Sequence, residues 1–223
     1  RSFAAALAVA DGVRSRGHAR RIRNFVARFA EEIEVVVYLR RQDKVAVSLK
    51  STLLKHGNVN SDMTTISDRS NLPYYFDYRQ VIDSYADVFG AENIIVRIIE
   101  PGAIVNDDVI DDLAMCTGVE FPESCRPKRL NESLTAEGNL FLERLNRGMP
   151  LFVDGEPNKL RNGLIQFVET HATGHAAASI TRSVAENFYQ AFLDGNEEIR
   201  QRYVPDRPAP LFSEDFSSYP TVL

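Results

Sequence analysis

One stretch limits the folds open to this chain more than any other: residues 34–51, EVVVYLRRQDKVAVSLKS. Val35, Val36, Val37, Tyr38 and Leu39 form an unbroken apolar run rich in β-branched and aromatic side chains. Such a run suits a strand covered on both faces, as in a parallel sheet, rather than one with a wet face. Two arginines, Arg40 and Arg41, follow at once. From Asp43 onward Val45, Leu49 and Leu53 recur every four residues, the spacing of one helix face. Asp43 is expected at the N-cap, its carboxylate accepting the unpaired amide hydrogens of the first turn. The pattern puts Arg40 at the carboxyl end of a strand and Ser48 in the first turns of a helix. Open α/β sheets bind ligands at that edge. A guanidinium, a hydroxyl and the positive end of a helix would together favour an anion there. The same residues also fit a plain strand–helix turn whose arginines point into water.

The remaining pattern extends this unit into an α/β fold with a parallel sheet flanked by helices and a helix-rich C-terminal part. Tyr78, Val81, Ile82, Tyr85, Val88 and Phe89 fall at helical spacing within Tyr74–Phe89, and Gly90 closes the helix. Residues 93–99 then give a second buried strand, so helices and strands alternate as a parallel sheet requires. Arg97, inside that strand, is expected to need an ion-pair partner. Helices are expected over 104–118, 134–147, 158–171 and 179–193. The first thirty residues read as helical as well. Phe3–Asp11 has high helix propensity, and residues 18–29 carry Ile22, Phe25, Val26 and Phe29 on one face against four arginines. The polar run 58–71 is expected to be a long loop, a lid over a cleft or a disordered segment. The length of 223 residues suits a single domain, 1–223.

Composition narrows the function. A net charge of −5 does not suit a general nucleic-acid binder, which carries a basic surface, so any site for a polyanion must be local. No run of about 18 apolar residues encodes a membrane span, and no signal peptide is evident. The two cysteines, Cys116 and Cys125, offer neither a disulfide framework nor metal-ligand spacing. Reduced thiols in a cytoplasmic protein are the expectation.

Leu39-Arg40-x7-Ser48, following an apolar strand, resembles the 3′-phosphate-binding motif of sulfotransferases that use 3′-phosphoadenosine-5′-phosphosulfate (PAPS). In that family the strand-end arginine and the helix serine, eight positions apart, hold the 3′-phosphate of the nucleotide. Arg40 and Ser48 match residue for residue. Many members have Asn-Pro after the arginine. Here Arg41-Gln42 stands instead, a variant similar to bacterial sulfotransferases acting on polysaccharides and related carbohydrates. The segment FGAENIIVRIIE is similar to a recurring helix-to-strand segment of the family, and GNEEIRQRYVPDRPAPLF resembles a C-terminal segment of its bacterial group. The likeness runs from about residue 30 to the end. It implies a P-loop-NTPase-like sulfotransferase fold, PAPS as co-substrate without a metal, and a carbohydrate acceptor.

The same resemblance directs attention to Arg126, Lys128 and Arg129, three cations in four positions ahead of a helix. A late basic loop in related enzymes reaches the PAPS phosphates, and Arg129-x-Asn131-x-Ser133 is similar to the bacterial pattern. These three are candidate phosphate ligands, with a solvated loop as the other reading. No Gly-rich 5′-phosphosulfate loop and no GxxxxGK[ST] motif occurs in the chain. The chain begins at Arg1, and the native N-terminal segment with that loop is expected upstream. His18 is the only histidine ahead of Arg40. A surface role suits it better than that of a base, and no catalytic residue is assigned. Two other readings stay open: a non-catalytic nucleotide-binding or interaction module of the same fold, and a P-loop phosphotransferase with its Walker-type lysine upstream.

Overall fold

The apolar run of residues 35–39 forms the middle strand of a parallel sheet in a computed structural model of the protein. The structure describes residues 2–5, 16–59, 62–65, 72–122, 124, 126, 134–174 and 180–222. Strand β2, Ile33–Leu39, pairs on one side with β1, Ser2–Ala5, and on the other with β3, Ile94–Ile98. Val35 faces Ile94 and Tyr38 faces Arg97 in the register. Val35, Val36 and Leu39 are almost fully buried, as expected of a central strand. Residues 2–5, expected to be helical, are therefore strand. Backbone pairing with β2 outweighs the alanine-rich propensity of this segment, because propensity is worth only tenths of a kcal/mol per residue, roughly, and tertiary context overrides it.

The described residues fall into two compact units. The first comprises Arg1–Arg41, Leu72–Arg126 and Ala191–Glu214. It contains the sheet together with α1, Arg16–Val26; α3, Tyr78–Phe89; α4, Val109–Thr117; and α8, Leu193–Tyr203. Helix α3 packs on β2 and β3, and α1 packs on α3. The stripe of Tyr78, Val81, Ile82, Tyr85 and Phe89 is buried as expected. Asp77 caps α3 by accepting from the Gln80 amide, so the helix begins after a 3-10 turn at Tyr74–Phe76 rather than at Tyr74. The apolar face read into residues 18–29 is not buried. Ala19 is sealed, whereas Phe25 and Phe29 are 62% and 73% exposed and pack edge-to-face on each other, ring centres 5.5 Å apart. A small side chain lets two helices approach closely. Helix α8 was not anticipated beyond Leu193. Arg200 pairs with Glu197 within the helix, and Arg202 pairs with Asp83 of α3.

The second unit comprises Gln42–Asn71, Pro127–Gln190 and Asp215–Leu223. It contains α2, Gln42–Lys55; α5, Ala136–Gly148; α6, Lys159–His171; α7, Arg182–Gln190; and a hairpin of β4, Phe152–Val153, with β5, Glu156–Pro157. Asp154 and Gly155 turn that hairpin with φ of 52° and 81°, the Asp-Gly signature of a tight turn. Leu54, Leu134, Leu142 and Val168 form its core, with Leu145, Ile165 and Ala172 packed around them. Asn158 caps α6 by accepting from the Arg161 amide. Gly57, with φ of +92°, closes α2, and a Cβ there would come within 2.5 Å of Leu151. Among the described residues no helix is long and apolar enough to cross a membrane.

Candidate functional site

At the carboxyl end of β2 the two consecutive arginines have opposite fates. Arg41 is 1% exposed and donates to the carbonyl of Ser213. A buried guanidinium must be hydrogen-bonded to be tolerated, so Arg41 is a structural brace. Arg40 is exposed, and its side chain makes no hydrogen bond or ion pair among the described residues. Its carbonyl is held by the Tyr78 hydroxyl, which donates to it. The neighbouring strand end is braced in the same way. Glu100, just past β3, accepts from Arg207 and from the Ser213 amide, and the Ile99 amide donates to the Leu39 carbonyl at 2.8 Å. The first unit thus offers Arg40 to solvent from a hydrogen-bonded strand end, the edge at which α/β sheets take ligands.

Helix α2 follows in the second unit. Its first residues, Gln42 and Asp43, are fully buried. Asp43 lies within the first turn rather than at the N-cap, and its Oδ2 accepts from the Tyr219 hydroxyl at 2.6 Å. Negative charge already sits where the helix end is positive, so this terminus is less open to an anion than the sequence implied. The physical reason is a long-range partner, Tyr219, that no local pattern reveals. Ser48 lies half-buried in the second turn, and its hydroxyl makes no hydrogen bond among the described residues. Eight positions of chain link it to Arg40.

The second basic segment is only partly described. Lys128 and Arg129 lie outside the described residues, as does Cys125. Arg126 is paired with Asp111 and lies 3.8 Å from an oxygen of Asp108. The Asn106 amide and Arg126 hold the Asp111 carboxyl below its ordinary value. A phosphate would compete with these carboxylates for Arg126. His18, in α1, is half-buried.

A third cluster explains Arg97. It takes Asp112 of α4 in a two-pronged ion pair, with Nε donating to Oδ2 at 2.8 Å and Nη2 to Oδ1. The Tyr38 hydroxyl donates to the same carboxylate at 2.8 Å, and the Val105 amide at 3.1 Å. Burial pushes the Asp112 carboxyl up, but Arg97, Val105 and Tyr38 outweigh it and hold it below the ordinary range. Burial, with Asp112 beside it, pushes the Tyr38 hydroxyl up. All four groups are satisfied by one another, which is the pattern of a structural network. Among the described residues no three His, Cys, Asp or Glu side chains come together as metal ligands.

No protein-family model and no solved structure matches the chain. An uncharacterized protein of Archaeoglobus fulgidus is 25% identical over 184 residues, which is 82% of this chain and 49% of that protein. The chain spans about half the length of this curated relative.

Proposed function

We propose that this chain is part of a PAPS-dependent sulfotransferase of P-loop-like fold that transfers a sulfuryl group to a hydroxyl of a carbohydrate acceptor. The observation that supports this reading most is the fate of Arg40. Of two adjacent arginines, the one in the motif position is exposed and without a counter-ion among the described residues, while its neighbour is consumed by the fold. Arg40 would hold the 3′-phosphate by a charge-assisted pair, and Ser48 would add a hydrogen bond from its hydroxyl. A guanidinium and a hydroxyl are donors of the kind a phosphate accepts from. When bound, PAPS supplies the activated sulfuryl group. The acceptor oxygen forms a bond to sulfur as the bond from sulfur to the 5′-phosphate oxygen breaks, and the acceptor proton passes to a base. Arg40 acts on binding and orientation, fixing the nucleotide so that attack is in line.

The test is calorimetric titration of 3′-phosphoadenosine-5′-phosphate into the protein and its Arg40→Ala variant, with adenosine-5′-phosphate as control. The bisphosphate should bind better than the control, and the variant should lose roughly ten- to a hundredfold of that affinity, the worth of one charged hydrogen bond. Equal binding of both nucleotides, or of neither, would remove the PAPS reading and favour an interaction module.

A further inference from the structure

In the second unit a groove of about 530 Å³ runs between α2 and α6. Thr52 and Lys55 line it from α2 and His56 from the turn that follows, and Arg161, Gln166 and Glu169 line it from α6. Its volume falls in the range of small-ligand sites, roughly 300–1,000 Å³. Most of its charges are accounted for. Lys55 lies 3.2 Å from Glu169 across the groove, and His56 directs Nδ1 to the Thr52 carbonyl at 2.8 Å. That leaves the other ring nitrogen, Nε2, for a further partner.

Arg161 is different. It is 3% exposed, and no carboxylate lies within ion-pair distance among the described residues. Nη2 donates to Asn146 Oδ1 at 2.7 Å, and Nε has no hydrogen-bond partner. Its side-chain partner is the amide of Asn146, and burial lowers its proton affinity. Proteins seldom keep a buried charge unpaired, because the desolvation is uncompensated. Arginine also stays protonated throughout the working pH range. Nε is sealed from solvent, whereas Nη1, also without a partner among the described residues, is not sealed. Nη1 is the donor that an anion from outside the chain would meet in the groove that Arg161 lines.

We propose that this groove binds an oxyanion, a carboxylate, sulfate or phosphate carried on a hydroxylated ligand such as an acidic sugar, with Arg161 as its buried anchor. The planar guanidinium suits the two oxygens of such a group. Gln166 and Thr52 supply neutral partners for hydroxyls, and His56 at the mouth adds a donor or an acceptor. The site is independent of Arg40, and it stands whichever nucleotide that residue binds.

The test follows the arginine Nε–H resonances by NMR, and Tm in parallel, while sodium sulfate, sodium phosphate or sodium glucuronate replaces sodium chloride at constant ionic strength. The Arg161 resonance should shift saturably and Tm should rise. A preference for glucuronate identifies a sugar acid, and one for sulfate or phosphate identifies an ester group. Gln166→Glu, at an exposed position, adds a carboxylate to the wall and should weaken the response at least tenfold. Arg161→Met should abolish it. If Arg161→Met does not fold, Gln166→Glu and His56→Ala decide, both being surface changes. A resonance that no anion moves beyond chloride, or a Gln166→Glu protein that responds like the parent, overturns the proposal.

Discussion

Arg97 on β3 and Asp112 on α4 lock strand to helix through a two-pronged ion pair, with the carboxylate fully buried and the guanidinium about a quarter exposed. Removing one partner strands the other. Asp112→Asn should cost about 3 kcal/mol in urea unfolding, in line with breaking a buried pair. Tyr38→Phe, which deletes a single neutral donor, should cost about 1 kcal/mol.

The same carboxylate sets an acid limit. In the folded chain Asp112 is held below its ordinary value, so near that value the folded state binds fewer protons than the unfolded one. Its contribution is complete above the unfolded value of about 3.9 and is lost as pH falls through the folded value. Unfolding followed from neutral pH down through that window should show a steep acid loss. In Asp112→Asn the loss should be shallower.

Arg40 and Arg41 should separate binding from stability. Arg41→Ala removes a buried donor to Ser213 and should cost about 2 kcal/mol or more. Arg40→Ala should leave stability within about 0.5 kcal/mol, as exposed substitutions do. Thermal denaturation of both variants checks this. A large loss in Arg40→Ala would mean that its side chain serves the fold.

Ser48→Ala should fold normally and bind 3′-phosphoadenosine-5′-phosphate several-fold more weakly, a neutral hydroxyl being worth about 1 kcal/mol. Calorimetry on the variant gives the answer, and unchanged affinity would remove Ser48 from the site.

Asn146 joins the C-terminal end of α2 to α6. Its Nδ2 donates to the Leu54 carbonyl at 2.8 Å and to the Asn58 carbonyl at 3.0 Å, while Oδ1 takes Arg161. Asn146→Leu strips Arg161 of its bond and leaves the carbonyls unpaired, so it should cost about 2–3 kcal/mol. Chemical denaturation measures it, and the variant should also weaken anion binding in the α2–α6 groove.

Much of the fold can be read locally. The run from Val35 to Leu39, the stripe from Tyr78 to Phe89 and the turn chemistry of Gly57 and Gly90 each depend on neighbours within a few residues, where periodicity and dihedral preference act. The place of Arg97 was legible for the same reason, since a charge within an apolar strand demands a partner, although Asp112 itself was not. Other features were settled by distant parts of the chain. Pairing with β2 made residues 2–5 a strand against their propensity. Packing left Phe25 and Phe29 in water while sealing Ala19. Tyr219, 176 positions away, took the Asp43 carboxylate as its acceptor. Ser213 consumed Arg41 and left Arg40 exposed, a distinction that two identical adjacent residues cannot carry in sequence. Arg161 gave no local signal, because its isolation depends on which helices face one another. Local order follows from backbone preference and hydrophobic period, which act between neighbours. The partner of each charge depends on burial and long-range pairing, and those exist only once the chain has folded.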